Sequence, residues 1–199
     1  TLVIFTSDNG SFMFRLDENE PDHVEDFRAV GYHREVHQSN YVWRGTKADI
    51  YEAGHRVPLL IRWPAGIKAG SVSDHTTTLT DLYATIAELV DHRLAVNEGE
   101  DSFSLVPVLK GNSEWQRAPV INHSISGMFA IRDGKWKLIA GNGSGGRQAP
   151  RGRPFERPYQ LYDLTADPSE TNNLISSHPH LAEALEKKLE DIRHAGRSR

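Results

Sequence analysis

The sequence predicts an α/β segment followed by a small antiparallel sheet with a packed C-terminal helix. Three observations carry this. A fully apolar run opens the chain (Leu2 to Phe5), a second lies at Val57 to Trp63, and an amphipathic helical pattern follows at Thr80 to Asp91. After Pro119 the pattern changes to short strand-like runs separated by turn formers, and the chain ends on a second amphipathic pattern.

Leu2 to Phe5 reads as a strand, and Ser7 to Gly10 as the loop leaving its carboxyl edge. An apolar run of this kind is usual in the interior of a parallel sheet, with neighbours on both sides. The rest of the chain offers few such neighbours, so the sequence reads as a piece of something longer. Residues 11 to 44 have no clear period and carry an acidic patch (Asp17, Glu18, Glu20, Asp22, Glu25, Asp26), then His33 and His37. They fit either an irregular surface excursion or a loop beside an active site. Val57 to Trp63 is stopped by Pro64, Gly66 and Gly70. In the helix that follows, Leu82, Ile86, Leu89 and Val90 share one face, and Thr80 or Asp81 can satisfy its first amides.

Beyond a loop region around the apolar Phe103 to Leu109 come strand candidates at Val120 to Asn122, Met128 to Arg132, Trp136 to Ala140 and Tyr159 to Leu164. Asp133-Gly134 between the second and third is a hairpin signal. Gly141 to Pro158, rich in glycine, proline and arginine, has too little apolar surface for a core and reads as a solvated loop. The final helix spans about Pro179 to His194, with Leu181, Leu185, Leu189 and Ile192 as its stripe. These elements place a domain boundary between 110 and 120, giving an α/β part over 1–115 and a subdomain over 116–199.

Composition removes several function classes. With 23 basic and 27 acidic residues the net charge is -4, which does not suggest a nucleic-acid binder. No stretch reaches the roughly 18 consecutive apolar residues of a membrane span. There is no cysteine, so disulfides, thiolate metal sites and a thiol nucleophile within the chain are excluded. The ten histidines show no zinc-type spacing.

Two local features could carry chemistry. Asp8 and Asn9, beyond the carboxyl end of a strand, offer oxygens that suit a hard cation. An Asx turn with Gly10 at positive φ accounts for the same residues. Lys47, beside Gly45, could hold an anion; exposed surface charge is the alternative.

Read together, TLVIFTSDNG, WRGTKADIYEAGHRVPLLIRWPAGI, VSDHTTTLTDLYATIAEL, FAIRDGKWKLI and QLYDLTADPSETNNL resemble the sulfatase family of the alkaline-phosphatase-like superfamily, in the family's order and over nearly the whole chain. The resemblance implies a partial alkaline-phosphatase-like core and a C-terminal subdomain. It implies that Asp8 and Asn9 help bind a divalent cation, calcium in most members, and that Lys47 contacts the substrate sulfate. Glu52, Gly54 and Arg56 match the segment behind the lysine, with Glu52 and Arg56 placed to pair. Glycine is frequent in the family where this chain has Thr46 and Ala53, and Asp49 receives no role. His123, at a strand end, is a second candidate for the substrate cleft, and His75 reads as a capping or packing residue.

The family's formylglycine nucleophile arises from a C/S-x-P-x-R motif that this chain lacks. The expected partners are therefore a sulfate ester substrate and an N-terminal part carrying that nucleophile, the paired aspartates and the activating arginine. The 199 residues alone are expected to be inactive. Periplasmic, secreted or lysosome-like compartments fit the resemblance. Two other readings stand beside it: a phosphatase or phosphodiesterase of the same superfamily, distinguished by its nucleophile, and a non-catalytic module that binds sulfated glycan.

Overall fold

A computed structural model describes residues 1–11 and 38–199. The acidic patch, His33 and His37 lie outside the described residues. The chain forms two compact units, one of Thr1–Thr6, Pro58–Val120 and Lys188–Arg199, the other of Ser7–Val57 and Ile121–Lys187.

In the first unit, β1 (Val3–Thr6) pairs antiparallel with β2 (Leu59–Arg62), in the register Val3↔Arg62 to Thr6↔Leu59. The pairing is antiparallel, where so apolar a strand is expected to pair in parallel. Among the described residues β1 has one neighbour, and its pleat turns Val3 and Phe5 to an exposed face with Leu60. Helix α2 (Asp81–Leu89) packs on the short α3 (Val106–Leu109), into which the apolar 103–109 patch folds. Polar side chains fix that packing. Ser102 Oγ accepts from the Ala84 amide at 2.8 Å and Thr85 Oγ1 from the Leu105 amide at 2.9 Å. Thr80 makes no side-chain cap, and Asp81 does not serve the first helical amides either. Its buried carboxylate instead accepts from Thr78 and Phe103 amides and pairs with Arg117 at 2.9 Å. His75 rests on Ser73 and, edge-on, on Trp115.

The second unit contains α1 (Glu52–His55) and a four-stranded sheet, β3 (Val120–His123), β4 (Phe129–Asp133), β5 (Trp136–Ile139) and β6 (Gln160–Asp163), in that order. The β4–β5 and β5–β6 pairs are antiparallel. The β4–β5 turn is Gly134-Lys135, with Gly134 at φ +59° and Asp133 opposite Trp136. It starts one residue later than the dipeptide signal indicates. Ile50, Tyr51, Met128, Ala130, Ile139, Tyr162 and Leu164 form the core. Helix α4 (Pro179–Ala195) starts at the expected proline, buries Ala182 and Leu185, and takes Arg157 on Glu186.

The largest correction is the segment 141–158. Gly141, Gly143, Ser144, Gly145 and Gln148 are buried. Its backbone closes on itself through Ser144 N–H to the Pro150 carbonyl (2.9 Å) and Gly145 N–H to the Arg151 carbonyl (2.7 Å). Gln160 Nε2 donates to the Gly141 and Gly143 carbonyls, both at 3.0 Å, and ties the segment to β6. Glycine lets the main chain approach where any Cβ would collide, as at Gly143 against Pro150 and Arg151. Among the described residues, no helix is long and apolar enough to cross a membrane.

Candidate functional site

All the predicted site residues lie in the second unit. Ser7 Oγ donates to the Asn9 carbonyl at 3.0 Å, and Asn9 Nδ2 to the Gly10 carbonyl at 3.1 Å. The loop is therefore closed without Asp8, whose exposed carboxylate accepts no hydrogen bond among the described residues. Gly10 is not in the left-handed region. It is required by space, because a Cβ there would run into the Ala53 carbonyl. Its amide donates to the Gly54 carbonyl at 3.1 Å.

The loop bearing Lys47 approaches the same place. The Lys47 amide donates to the Ser11 carbonyl at 3.0 Å, and Asn40 Nδ2 bridges the Ser11 and Gly45 carbonyls, each at 3.2 Å. Main-chain bonds thus bring the Asp8–Ser11 and Gly45–Lys47 segments together. Positive φ falls at Gly45 (+84°) and Ala48 (+83°), the latter uncommon for a residue with a Cβ. Thr46 and Ala53 are not in that region. Lys47 is half-buried, and its ammonium has no ion-pair partner among the described residues.

Asp49, to which sequence reasoning gave no role, organises this loop. Its Oδ2 accepts from the Thr46 amide at 2.8 Å, and its Oδ1 from the amides of Arg147 and, at 3.1 Å, Gln148. It is fully buried. The Ile50 amide adds a bond to the Ser144 carbonyl at 2.8 Å, and the Ile125 amide one to the Ala48 carbonyl at 3.0 Å. No linear spacing signals such a partnership across about a hundred residues; a short polar residue after a glycine loop is the only local hint.

Behind the loop lies a buried charge cluster. Glu52 faces Lys137 at 3.1 Å, Arg132 at 3.2 Å and Arg56 at 3.5 Å, so the expected Glu52–Arg56 pair is the longest of three. Lys137 also reaches Glu170 at 2.8 Å, and Glu170 accepts from the Glu52 amide at 2.6 Å. Burial alone would raise the Glu52 pKa, but Lys137, Arg132 and Arg56 hold it down to about 2. For Glu170 burial prevails over Lys137 and the shift is upward. Burial would strip Lys137 of its proton; Glu170 and Glu52 instead raise its pKa. Gly54 fits only as glycine, since a Cβ would meet the Asp49 carbonyl. Arg56 stacks over Trp43 at 4.5 Å and Arg44 over Tyr51 at 3.9 Å, with Arg44 donating to the Glu170 carbonyl at 2.8 Å.

His123 is exposed at the end of β3, its Nδ1 3.0 Å from the Ser124 carbonyl and its ring beside Phe129. His55 belongs to no motif that marks it in the sequence. Its buried Nε2 has no partner, and burial, then Lys137 and His123, lower its pKa to about 4, so its ring is neutral. Among the described residues no three His, Asp or Glu side chains gather as a metal-binding group. Asp8 and Asn9 are hard oxygen donors that fit calcium, but they supply only part of the six or more oxygens it takes.

Comparison with known proteins gives this arrangement a family. The chain is 31% identical over 195 residues to an N-acetylgalactosamine-6-O-sulfatase of Bacteroides thetaiotaomicron, covering 97% of this chain and 36% of that protein. It is 30% identical over 206 residues to mouse steryl-sulfatase, covering 94% of this chain and 31% of the relative. A solved Bacteroides thetaiotaomicron structure, from work on metabolism of multiple glycosaminoglycans, superimposes with a TM-score of 0.77 at 29% identity. It covers 98% of this chain and 39% of that one. The chain thus spans about a third of the length of these proteins. Residues 41–195 match the family described as N-sulphoglucosamine sulphohydrolase, C-terminal, and the chain belongs to that sulfatase family, on a partial alkaline-phosphatase-like core.

Proposed function

We propose that this chain is the anion-binding C-terminal part of a sulfuric ester hydrolase, with Lys47 as the residue that contacts the sulfate. The observation supporting this is the meeting of the Asp8–Ser11 and Gly45–Lys47 loops at the Gly54 turn, with a half-buried Lys47 that has no ion-pair partner among the described residues. In this reading Asp8 and Asn9 supply oxygens to a divalent cation, calcium by donor type, which when bound would draw charge from the sulfuryl oxygens. The Lys47 ammonium offsets charge developing on the same oxygens. Asp49 and the Glu52–Lys137–Glu170 cluster hold the Lys47 backbone in place, and His123 faces the substrate from the end of β3. A formylglycine outside this chain would supply the covalent chemistry, since these 199 residues contain no C/S-x-P-x-R motif. The division at 110–120 is proposed as the family's core-to-subdomain boundary.

The test uses the protein at the full length of its relatives. Lys47→Ala should lower kcat/KM on an aryl sulfate by about a hundredfold or more, the scale of losing one transition-state donor. Asp8→Asn should make activity depend on added calcium. Lys47→Ala activity within a fewfold of wild type would refute the assignment. Preferential turnover of phosphate esters by the wild type would favour the phosphatase reading instead.

A further inference from the structure

Four arginines lie in segment 141–158, and three behave as surface groups. Arg151 is exposed, Arg153 faces Glu156 at 3.8 Å, and Arg157 is held by Glu186 at 2.7 Å. Arg147 differs. It is half-buried, and its guanidinium has no carboxylate partner among the described residues.

Its backbone is fixed against the Lys47 loop. The Arg147 amide donates to Asp49 Oδ1, and Gly146 lies so close to Ala48 that a Cβ would strike the Ala48 carbonyl and Asp49 Oδ1. The other side of that loop is pinned too, since the Gly145 carbonyl accepts from the Ser126 amide at 3.1 Å and Ser126 Oγ at 2.6 Å. Lys47 stands two residues before Asp49, and Arg147 is one hydrogen bond from it. The Asp49 oxygens are taken up by main-chain amides and by Thr46 Oγ1 at 3.4 Å, and this carboxylate makes no ion pair with either cation. Two half-buried cations on mutually locked loops, neither in an ion pair among the described residues, make a preformed place for negative charge.

We infer that Arg147 is the second cation of the Lys47 site and binds a second anionic group on the substrate, a further sulfate or a carboxylate near the ester sulfate. The inference rests on the sulfate-ester reading of Lys47 and narrows the substrate to one bearing two anions. A guanidinium suits that task because its planar fork binds such oxyanions bidentately.

The experiment is calorimetric titration of the full-length protein, as wild type, Arg147→Ala and Arg147→Lys. The ligands are a monosulfated neutral disaccharide, its disulfated counterpart, and one bearing a sulfate and a carboxylate. Arg147 holds its loop through main-chain bonds, so the alanine variant keeps the fold. It should weaken one or both dianionic ligands about tenfold or more and the monosulfated one less than about twofold, with lysine intermediate. Which dianion loses affinity identifies the second group. Equal changes for all three ligands, or no change, overturn the inference. Selective loss without any sulfate ester hydrolysis would keep the two-cation site and defeat the sulfatase reading. Hydrolysis without selective loss would do the reverse.

Discussion

In the β1–β2 ribbon, Val3, Phe5 and Leu60 are 49%, 64% and 58% exposed, whereas in segment 141–158 a run of glycine, serine and glutamine is buried. Composition alone orders the two regions the other way. The ribbon is apolar, but a strand with one partner can turn only one side of its pleat to the rest of its unit. The glycine-rich segment has almost no side-chain surface to hide. Its amides and carbonyls nevertheless find partners in Asp49, Gln160, Ser126 and one another. A buried backbone group without a partner costs about as much as a lost hydrogen bond, so a segment can be buried once every such group is paired. Burial of the glycine-rich segment follows the pairing of its backbone groups more closely than hydropathy.

The sharpest way to break that comparison is to unbalance the buried polar region. Lys137→Met keeps volume in β5 but leaves Glu52 and Glu170 without their shared cation. Removing one partner of a buried ion pair costs about 3–5 kcal/mol, and urea denaturation should show a loss on that scale. Adding Glu170→Gln to Lys137→Met should recover part of it, because Glu52 keeps Arg132 and Arg56 while the carboxylate stranded at Glu170 is then neutral. A loss below about 1 kcal/mol would mean that the cluster is hydrated in solution and the comparison is wrong.

Gly146→Ala probes the glycine-rich segment directly. The added methyl must displace the Ala48 carbonyl or Asp49 Oδ1. Overpacking of this kind costs about 1–3 kcal/mol. The same substitution at Gly127, where a Cβ meets nothing, isolates space from conformation, since Gly127 sits at φ +79° and pays only for its backbone. A Gly146→Ala variant as stable as wild type would show that the segment moves away from the Lys47 loop.

These contrasts also explain what could be read from the chain. All four strands of the four-stranded sheet and both long helices are legible because alternation, a glycine turn and helical spacing are local signals. Lys47, Asp8 and Asn9 were singled out from turn chemistry and a family resemblance. Asp49, Lys137, Glu170 and Arg147 were not, because their partners lie far along the chain: Asp49 with Gln148, Lys137 with Glu52, Glu170 with the Glu52 amide. A lysine inside W-K-L-I reads as an outward position until the sheet shows that its neighbours on both sides are covered. Nor does an arginine-rich loop reveal which of its guanidinium groups is partly buried.

The smallest effect belongs to the ribbon. Phe5→Thr replaces one good strand former by another, β-branched and smaller, so it tests burial rather than strand preference. With 64% of Phe5 already in water, the part still covered corresponds to a loss under about 1 kcal/mol when full burial of such a side chain contributes about 1.5–3 kcal/mol. Urea denaturation of the 199-residue chain is the measurement. A loss above about 2 kcal/mol would mean that the exposed face of β1 is covered in solution. The ribbon would then obey hydropathy after all, and only the glycine-rich segment would stand as a region whose burial is set by its backbone.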